Sequence, residues 1–412
     1  MINRFQWNIT KGGRYRCGPI GPHLDGFAAL LSEQGYSNQF GMQKIRVVRL
    51  LSLWMARSRL RIRQLDEQRI AHFLRTQRRA LRRQRHVEHT LHQLLRYCRR
   101  SKIIPEPRPT RVEKPSDLLI LDYQRFLTQE RGLSQATLNN YLPVARRLVA
   151  KVSSKKKLGV GGLEARDIRR FILNDSAQFS PKRLQLIASA LRSFLGFLHL
   201  RGQIALPLGA SIPSVASWRL SELPKFLETE QVRRLVQSCD RNSPCGRRDF
   251  AALLLLARLG LRAGELVHLS LEDIDWSSGT VLIRGKSSHE DRLPLPPDAG
   301  RALASYLKNG RPRCVSRRVF IRMKAPHVGF SSSVAICDIV RRALIRTGLK
   351  PEHKGAHLLR HSLAVQMLRG GASLTQIGQI LRHQLPQTTE IYAKVDLTAL
   401  KAIAHPWPGG AR

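Results

Sequence analysis

Apolar residues fall at helical intervals in two successive stretches of the 412-residue chain. In the first, from His23 to about Pro107, they group as Phe27-Leu30-Leu31, Val47-Val48-Leu50-Leu51-Trp54, Ile70-Phe73-Leu74 and Leu91-Leu94-Leu95. Spacings of three and four place each group on one face of an amphipathic helix. A Pro-rich segment, Ile104 to Pro109, closes the stretch. The pattern then returns. Gly35-Tyr-Ser37 matches Gly132-Leu-Ser134, Leu65…Ile70…Phe73 matches Leu163…Ile168…Phe171, and Leu91…Leu95-x-Tyr97 matches Leu191…Leu195-x-Phe197. Offsets that creep from 97 to 100 residues are what a duplicated module with small loop insertions gives. The spacing predicts two four-helix modules in tandem, residues 23–110 and 116–210, after a flexible, Gly-rich basic tail over 1–22.

A Pro-containing linker near 211–222 leads into a different pattern. Residues 226–236 read as a capped helix, and the apolar run Phe250 to Leu259 as a buried helix that Gly260 ends. Thr280 to Arg284 and Arg292 to Leu295 alternate like two strands joined by the polar loop Gly285 to Asp291. Helices follow to about Ala404. The fold class is therefore mainly α, with two all-helical modules ahead of an α+β domain over 222–412 that holds a small β-hairpin.

Charge changes the picture more than composition does. Seventy-one Lys and Arg against 29 Asp and Glu leave a formal charge of +42 and a pI near 11.4. A globular surface that basic favours a polyanion, most simply nucleic acid. Arginines crowd residues 75–102, where helical spacing could line a phosphate backbone. His86, His89 and His92 recur there too, but Glu88 is expected off their face and the arginines would repel a cation, so surface histidines are expected, with no metal. The six cysteines form no C-x-x-C pair and are expected to be buried free thiols. The longest apolar run, Phe250 to Ala257, is too short to span a bilayer. A soluble chain of the cytoplasm, associated with the nucleoid, is the expectation.

The chemistry concentrates near the C-terminus. His357 and Arg360 lie one helical turn apart, so both can address one point. Leu363, Val365, Met367 and Leu368 continue that helix to Gly370-Gly371, and Ser373 can cap a second helix bearing Leu374, Ile377, Ile380 and Leu381. His383 follows in a short loop, and Thr388 or Thr389 can cap a third helix opening with Glu390-Ile391-Tyr392. Cations for phosphate oxygens beside a phenol suit phosphoryl chemistry. His357 and His361 also stand at i, i+4, but Leu358 sits where a zinc protease would need Glu, so a metal pair is not expected.

These residues resemble the tyrosine recombinase, or phage integrase, family. Its second box runs His-x-x-Arg, then Leu-x-His, then Thr-x-x-Tyr nine residues beyond that His. The chain has His357-x-x-Arg360, Leu381-Arg382-His383 and Thr389-Glu-Ile-Tyr392 in register, with Arg382 where Gly is usual and Ser362-Leu363 where Thr-Phe is usual. The first box matches Leu259-Gly-Leu-Arg262-Ala-Gly-Glu265-Leu. The resemblance implies Tyr392 as nucleophile and Arg262 and Arg360 as a clamp on the non-bridging oxygens. It implies His357 as proton acceptor or phosphate ligand, His383 as phosphate ligand, and Lys286 of the hairpin as general acid. Glu265 is expected to support these side chains. Ser287 and His289 depart from the frequent Gly and Lys of that hairpin. The second helical module resembles the family's core-binding domain, and the first is an extension that commoner members lack.

The implied reaction needs no cofactor. A 3′-phosphotyrosyl link retains the bond energy and a 5′ hydroxyl later reverses it. Implied partners are double-stranded DNA and a tetramer on two duplexes, either of this chain or mixed with related recombinases. A tail segment with a helix over 397–403 and Trp407 would pass to a neighbour. Competing readings are a type IB topoisomerase and an inactive DNA-binding member of a recombinase set.

Overall fold

The computed structural model describes residues 15–82, 86–106, 115–153, 159–176, 178–215, 223–285 and 290–395. Lys286, Ser287, His289, the expected helix over 397–403 and Trp407 lie outside the described residues, as does most of the N-terminal tail. The chain divides into two compact units, Met1–Pro105 with Glu222–Arg412, and Glu106–Ser221.

The first part of the larger unit holds α1 (Leu24–Glu33), α2 (Asn38–Arg57), α3 (Glu67–Thr76), a single turn α4 (Arg78–Leu81) and α5 (Val87–Arg100). Ser37 and Asp66 cap α2 and α3 through the amides of Phe40 and Arg69. Phe27, Val48, Leu51, Phe73 and Leu94 are fully buried between these helices. Lys44 is buried as well; its ammonium donates to Thr90 Oγ1 at 3.2 Å and Gln93 Oε1 at 3.0 Å. The arginine-rich stretch is thus shared among α3, α4 and α5 rather than forming one ridge. Arg99 pairs with Glu67 at 2.7 Å, whereas Arg75, Arg78, Arg79, Arg82, Arg96 and Arg100 are exposed. Glu88, expected off the histidine face, comes within 3.9 Å of His92 Nε2.

The smaller unit comprises α6 (Pro115–Arg125), extended by a wide turn at Phe126–Glu130, then α7 (Gln135–Ser153), α8 (Ala165–Ser176) and α9 (Pro181–Leu200). Its joints repeat those of the first module. Gly35 and Gly132 both take left-handed φ, at +80° and +58°, just before the serine that opens the next helix. Lys102 and Gly202 both end the last helix in that conformation. The next amide donates back at 2.8 Å in each case, Ile103 to Cys98 and Gln203 to Leu198. The aromatic packing repeats too: Tyr97 lies against Phe27, and Phe197 against Tyr123 and Phe126.

The remainder of the larger unit runs α10 (Thr229–Gln237), α11 (Pro244–Leu259), α12 (Ala263–His268), β1 (Ile274–Asp275), β2 (Thr280–Arg284), β3 (Glu290–Pro294), α13 (Pro297–Asn309), α14 (Val334–Thr347), α15 (Ala356–Arg369) and α16 (Leu374–Ile380). The strands form one antiparallel sheet, β1-β2-β3, with Ile274 opposite Val281 and Arg284 opposite Glu290. The two-residue β1 is an addition to the expected hairpin, too short to show alternation. Val281 and Ile283 face the core and pack with Leu255, Leu266, Leu303, Phe320, Ile339 and Leu359. A second cluster of Ala364, Val365, Ile377, Leu381 and Tyr392 underlies the C-terminal elements. The helical module meets this part where the His327 amide donates to Gln34 O at 2.9 Å. A Cβ on Gly35 would overlap the His327 ring. Of the cysteines, only Cys98 and Cys239 are buried, and none of the six is in a disulfide.

Candidate active site

Leucines dominate α11, and they need a sharp exit at its end. Gly260 supplies it, with φ at +57°. Two residues later Arg262 opens α12 in extended conformation, and Glu265 folds back on it. The Arg262 amide donates to Glu265 Oε2 at 2.9 Å, and its Nη1 donates to Oε1 at 2.8 Å. This reciprocal cap fixes the guanidinium at the helix mouth, with the Arg262 side chain 39% exposed and the Glu265 side chain only 5%. Burial pushes the Glu265 carboxyl up, but the Arg262 amide and the Arg382 and Arg262 guanidinia outweigh it and leave the pKa below the ordinary value.

Helix α15 brings the second arginine. Ser362, one turn from Leu358, accepts from the Leu227 amide and donates to the Leu358 carbonyl, both at 2.8 Å, which pins α15 to the domain entrance. Arg360 is buried and spans two elements: Nη1 donates to Gly260 O at 2.5 Å, and Nη2 donates to Leu381 O. Arg262 Nη2 donates to the next carbonyl, Arg382 O, at 3.3 Å. Both guanidinia therefore converge on the short loop that carries His383. Burial, then Arg262 and Arg382, lower Arg360 to about 10, still well inside the range where it is charged at neutral pH.

Tyr392 sits 1% exposed, and its hydroxyl lies 2.8 Å from His361 Nδ1. Burial pushes the phenol up to about 12, with Arg360 pulling the other way. Burial, with His357, Arg360 and His353, brings His361 down to about 4. A histidine so held is neutral at pH 7 and, with its proton on Nε2, can accept the phenolic proton at Nδ1. His383 stacks parallel to Tyr392 with ring centroids 6.4 Å apart, and its Nδ1 lies 2.7 Å from Thr389 Oγ1. Burial and the two arginines bring it to about 4 as well. His357 is lowered by burial, Arg360 and Arg262, and its ring centroid stands 6.4 Å from that of His361.

The structure thus brings Arg262, Glu265, His357, Arg360, His383 and Tyr392 to one locality, while Lys286 lies outside the described residues. Two features differ from expectation. His361, weighed from sequence only as half of a metal pair, is the histidine against the phenol; its position one turn beyond His357 was the available signal. Tyr392 rides on a 3-10 turn, Glu390–Val395, rather than on a helix capped by Thr388 or Thr389. The Thr389 hydroxyl is engaged with His383 instead. Among the described residues no group of three or more His, Cys, Asp or Glu could hold a metal ion, and no helix is long and apolar enough to cross a membrane.

Comparison with known proteins gives the same outline. Residues 225–398 match the phage integrase family, and residues 120–202 match the phage integrase N-terminal SAM-like domain. The chain is 39% identical over 402 residues to a putative integrase/recombinase, y4rA, of Sinorhizobium fredii, covering 96% of each. It is 30% identical over 293 residues to the tyrosine recombinase XerD of Listeria monocytogenes, covering 69% of this chain and 96% of that one. Among solved structures, XerH recombinase bound to a palindromic difH substrate aligns at TM-score 0.56 with 18% identity, over 75% of this chain and 92% of that one. A lambda integrase dimer bound to a COC′ core site aligns at 0.51 with 18% identity, over 75% and 87%. The chain belongs to the phage integrase family of tyrosine recombinases, enzymes that cut and rejoin DNA strands through a phosphotyrosyl intermediate.

Proposed function

We propose that Tyr392 is the nucleophile of a site-specific strand transfer on double-stranded DNA. The observation that carries this reading is the 2.8 Å approach of the Tyr392 hydroxyl to a neutral His361, one residue from the buried Arg360. A phenol is a weak nucleophile until a base takes its proton and cations stabilise the charge it delivers. His361 Nδ1 accepts that proton. Arg262 and Arg360 turn unused guanidinium donors toward the non-bridging oxygens and stabilise the pentacoordinate transition state. His383 and His357 donate to the same oxygens, and Glu265 keeps Arg262 oriented.

Attack forms the Tyr392 Oη–phosphorus bond and breaks the bond to the 5′ oxygen. Lys286, which follows β2 in the sequence, protonates that leaving oxygen. The 3′-phosphotyrosyl bond retains the phosphoester energy, so a 5′ hydroxyl of a second duplex reverses the step and joins strands without a cofactor. Exchange between two duplexes calls for four active sites, so the working assembly is a tetramer of this chain or a mixed one with related recombinases, serving integration or excision of a mobile element. The exposed arginines of α3 to α5 and residue 82 add phosphate contacts without adding chemistry.

The test is Tyr392→Phe. The ring and its packing are retained and one oxygen is lost, so the variant shifts nicked DNA from the ends of its own element as the wild type does. It forms no covalent band on denaturing electrophoresis. A covalent band from the variant rules out Tyr392, and no band from the wild type rules out the activity.

A further inference from the structure

Arg382 occupies a conformation that disfavours any side chain, with φ at +57°. A surface arginine there would point into solvent; this side chain instead turns inward and is 7% exposed. Its Nη2 donates to Glu265 Oε2 at 2.9 Å, the oxygen that also accepts the Arg262 amide. Its Nε stands 4.0 Å from Asp291 Oδ2 on β3, one residue pair from the loop end of the hairpin. Its own carbonyl receives Arg262 Nη2. Arg262, Glu265 and Arg382 therefore close a ring of contacts: guanidinium to carboxylate, carboxylate to guanidinium, and carbonyl back to the first guanidinium.

That ring does two things a single Arg262–Glu265 pair would not. One buried carboxylate shared between two guanidinia cannot neutralise both, so Arg262 keeps net positive charge toward the 39% exposed side of its side chain. The carbonyl contact also stops the fork of Arg262 from rotating about its stem, because its two Nη atoms are held by two different acceptors. We propose that Arg382 is a positioning residue for the strand-transfer reaction, holding Arg262 through Glu265 and tying that arginine to the histidine loop and to β3. The proposal rests on the reading of Arg262 as a phosphate clamp.

Full-length Arg382→Gly, Arg382→Lys, Glu265→Gln and the Arg382→Gly/Glu265→Gln double variant test it. The probe is a nicked duplex from the ends of the chain's own element, and the readings are thermal melting, equilibrium DNA affinity and the single-turnover rate of covalent attachment at saturating DNA. Glycine accepts the left-handed φ, so Arg382→Gly keeps the loop and loses only the guanidinium. A clamp misplaced by a fraction of an ångström costs ~10- to 100-fold in rate. That loss is expected in the rate constant, with affinity changed less than about 3-fold because phosphate contacts elsewhere dominate binding. Arg382→Lys, with one charge and no fork, recovers part of the rate, and the double variant is no slower than the slower single variant, since both break one ring. A residue that merely supported the fold would lower the melting temperature and the reactive fraction and leave the rate constant unchanged. Wild-type rates in Arg382→Gly, or losses that multiply in the double variant, overturn the proposal. Should Arg382→Gly not fold, Arg382→Lys decides it: a reduced rate constant that Glu265→Gln does not deepen supports the ring, and a wild-type rate refutes it. Failure of the wild-type chain to attach removes the active-site reading and this proposal together, whereas an active wild type with unaffected Arg382 variants removes this proposal alone.

Discussion

Replacing Gly260 with alanine should unsettle both arginines by adding one methyl group. The residue has φ at +57°, and a Cβ there would stand 2.6 Å from Leu381 Cδ2, 3.1 Å from Leu363 Cδ2 and 3.8 Å from Arg360 Cγ. The left-handed conformation costs an L-residue ~1–2 kcal/mol. Forcing a methyl against packed leucines costs a further ~1–3 kcal/mol. Together Gly260→Ala should lose about 2–5 kcal/mol. In a domain of this size each kcal/mol moves the melting temperature by about 2–4 °C, so a fall of at least about 4 °C is expected. Gly264 provides the control: it lies within α12, has no positive φ, and a Cβ there meets nothing within 4 Å. Gly264→Ala should hold or gain ~0.5–1 kcal/mol from helix propensity. Scanning calorimetry of the full chain resolves the two cases, because the transition of the larger unit should move for one variant and not fall for the other. Equal melting of Gly260→Ala and wild type would refute the strain and the packing together. Because the Gly260 carbonyl accepts from Arg360, the variant should also attach DNA more slowly at temperatures where it is folded.

Two further predictions concern protons. If Lys286 protonates the leaving 5′ oxygen, Lys286→Ala should slow cleavage by ~10²-fold or more. A 5′-bridging sulfur, whose departure needs no proton, should recover most of that loss, and no recovery would assign the acid elsewhere. Stability should fall with acid: His361 and His383 are lowered from 6.5 to about 4 in the fold, so the unfolded chain binds more protons below about pH 6.5. The stability they contribute is complete above that pH and is lost as pH falls toward about 4. Melting of the larger unit at pH 5 lower than at pH 7 checks this, and a His361→Asn/His383→Asn variant should flatten the slope; a slope unchanged by the double variant would refute it.

Much of this was legible in the chain because it depends on local spacing. The Arg262-x-x-Glu265 cap, the one-turn separation of His357 and Arg360, the Ser373 cap and the paired glycine-serine joints of the two helical modules all follow from residues within a few positions. What escaped depends on contacts across the fold. Arg382 stands out in the sequence only as a replacement for the usual Gly, and no local spacing points to Glu265, 117 residues earlier, as its partner. Thr389 reads as a helix cap until His383 takes its hydroxyl, and the tyrosine turn then tightens into 3-10 geometry. The contact of Gln34 with His327 joins segments that no periodicity relates.

The burial of Tyr392 bears on how such a chain can travel over a genome without damaging it. A tyrosine ring withdrawn from water covers ~150–250 Å². Exposing that area at ~25 cal/mol per Å² costs about 4–6 kcal/mol. At one decade per ~1.4 kcal/mol, only ~1 molecule in 10³ to 10⁴ at rest presents the oxygen to a passing phosphate. Random DNA that grips the basic surface equally well in the closed and open forms leaves that fraction where it is. Only contacts specific to the open form raise it. On the proposed reading, the 1% exposure of one ring would act as a safety catch, released by contacts specific to the open form and not by DNA contact alone.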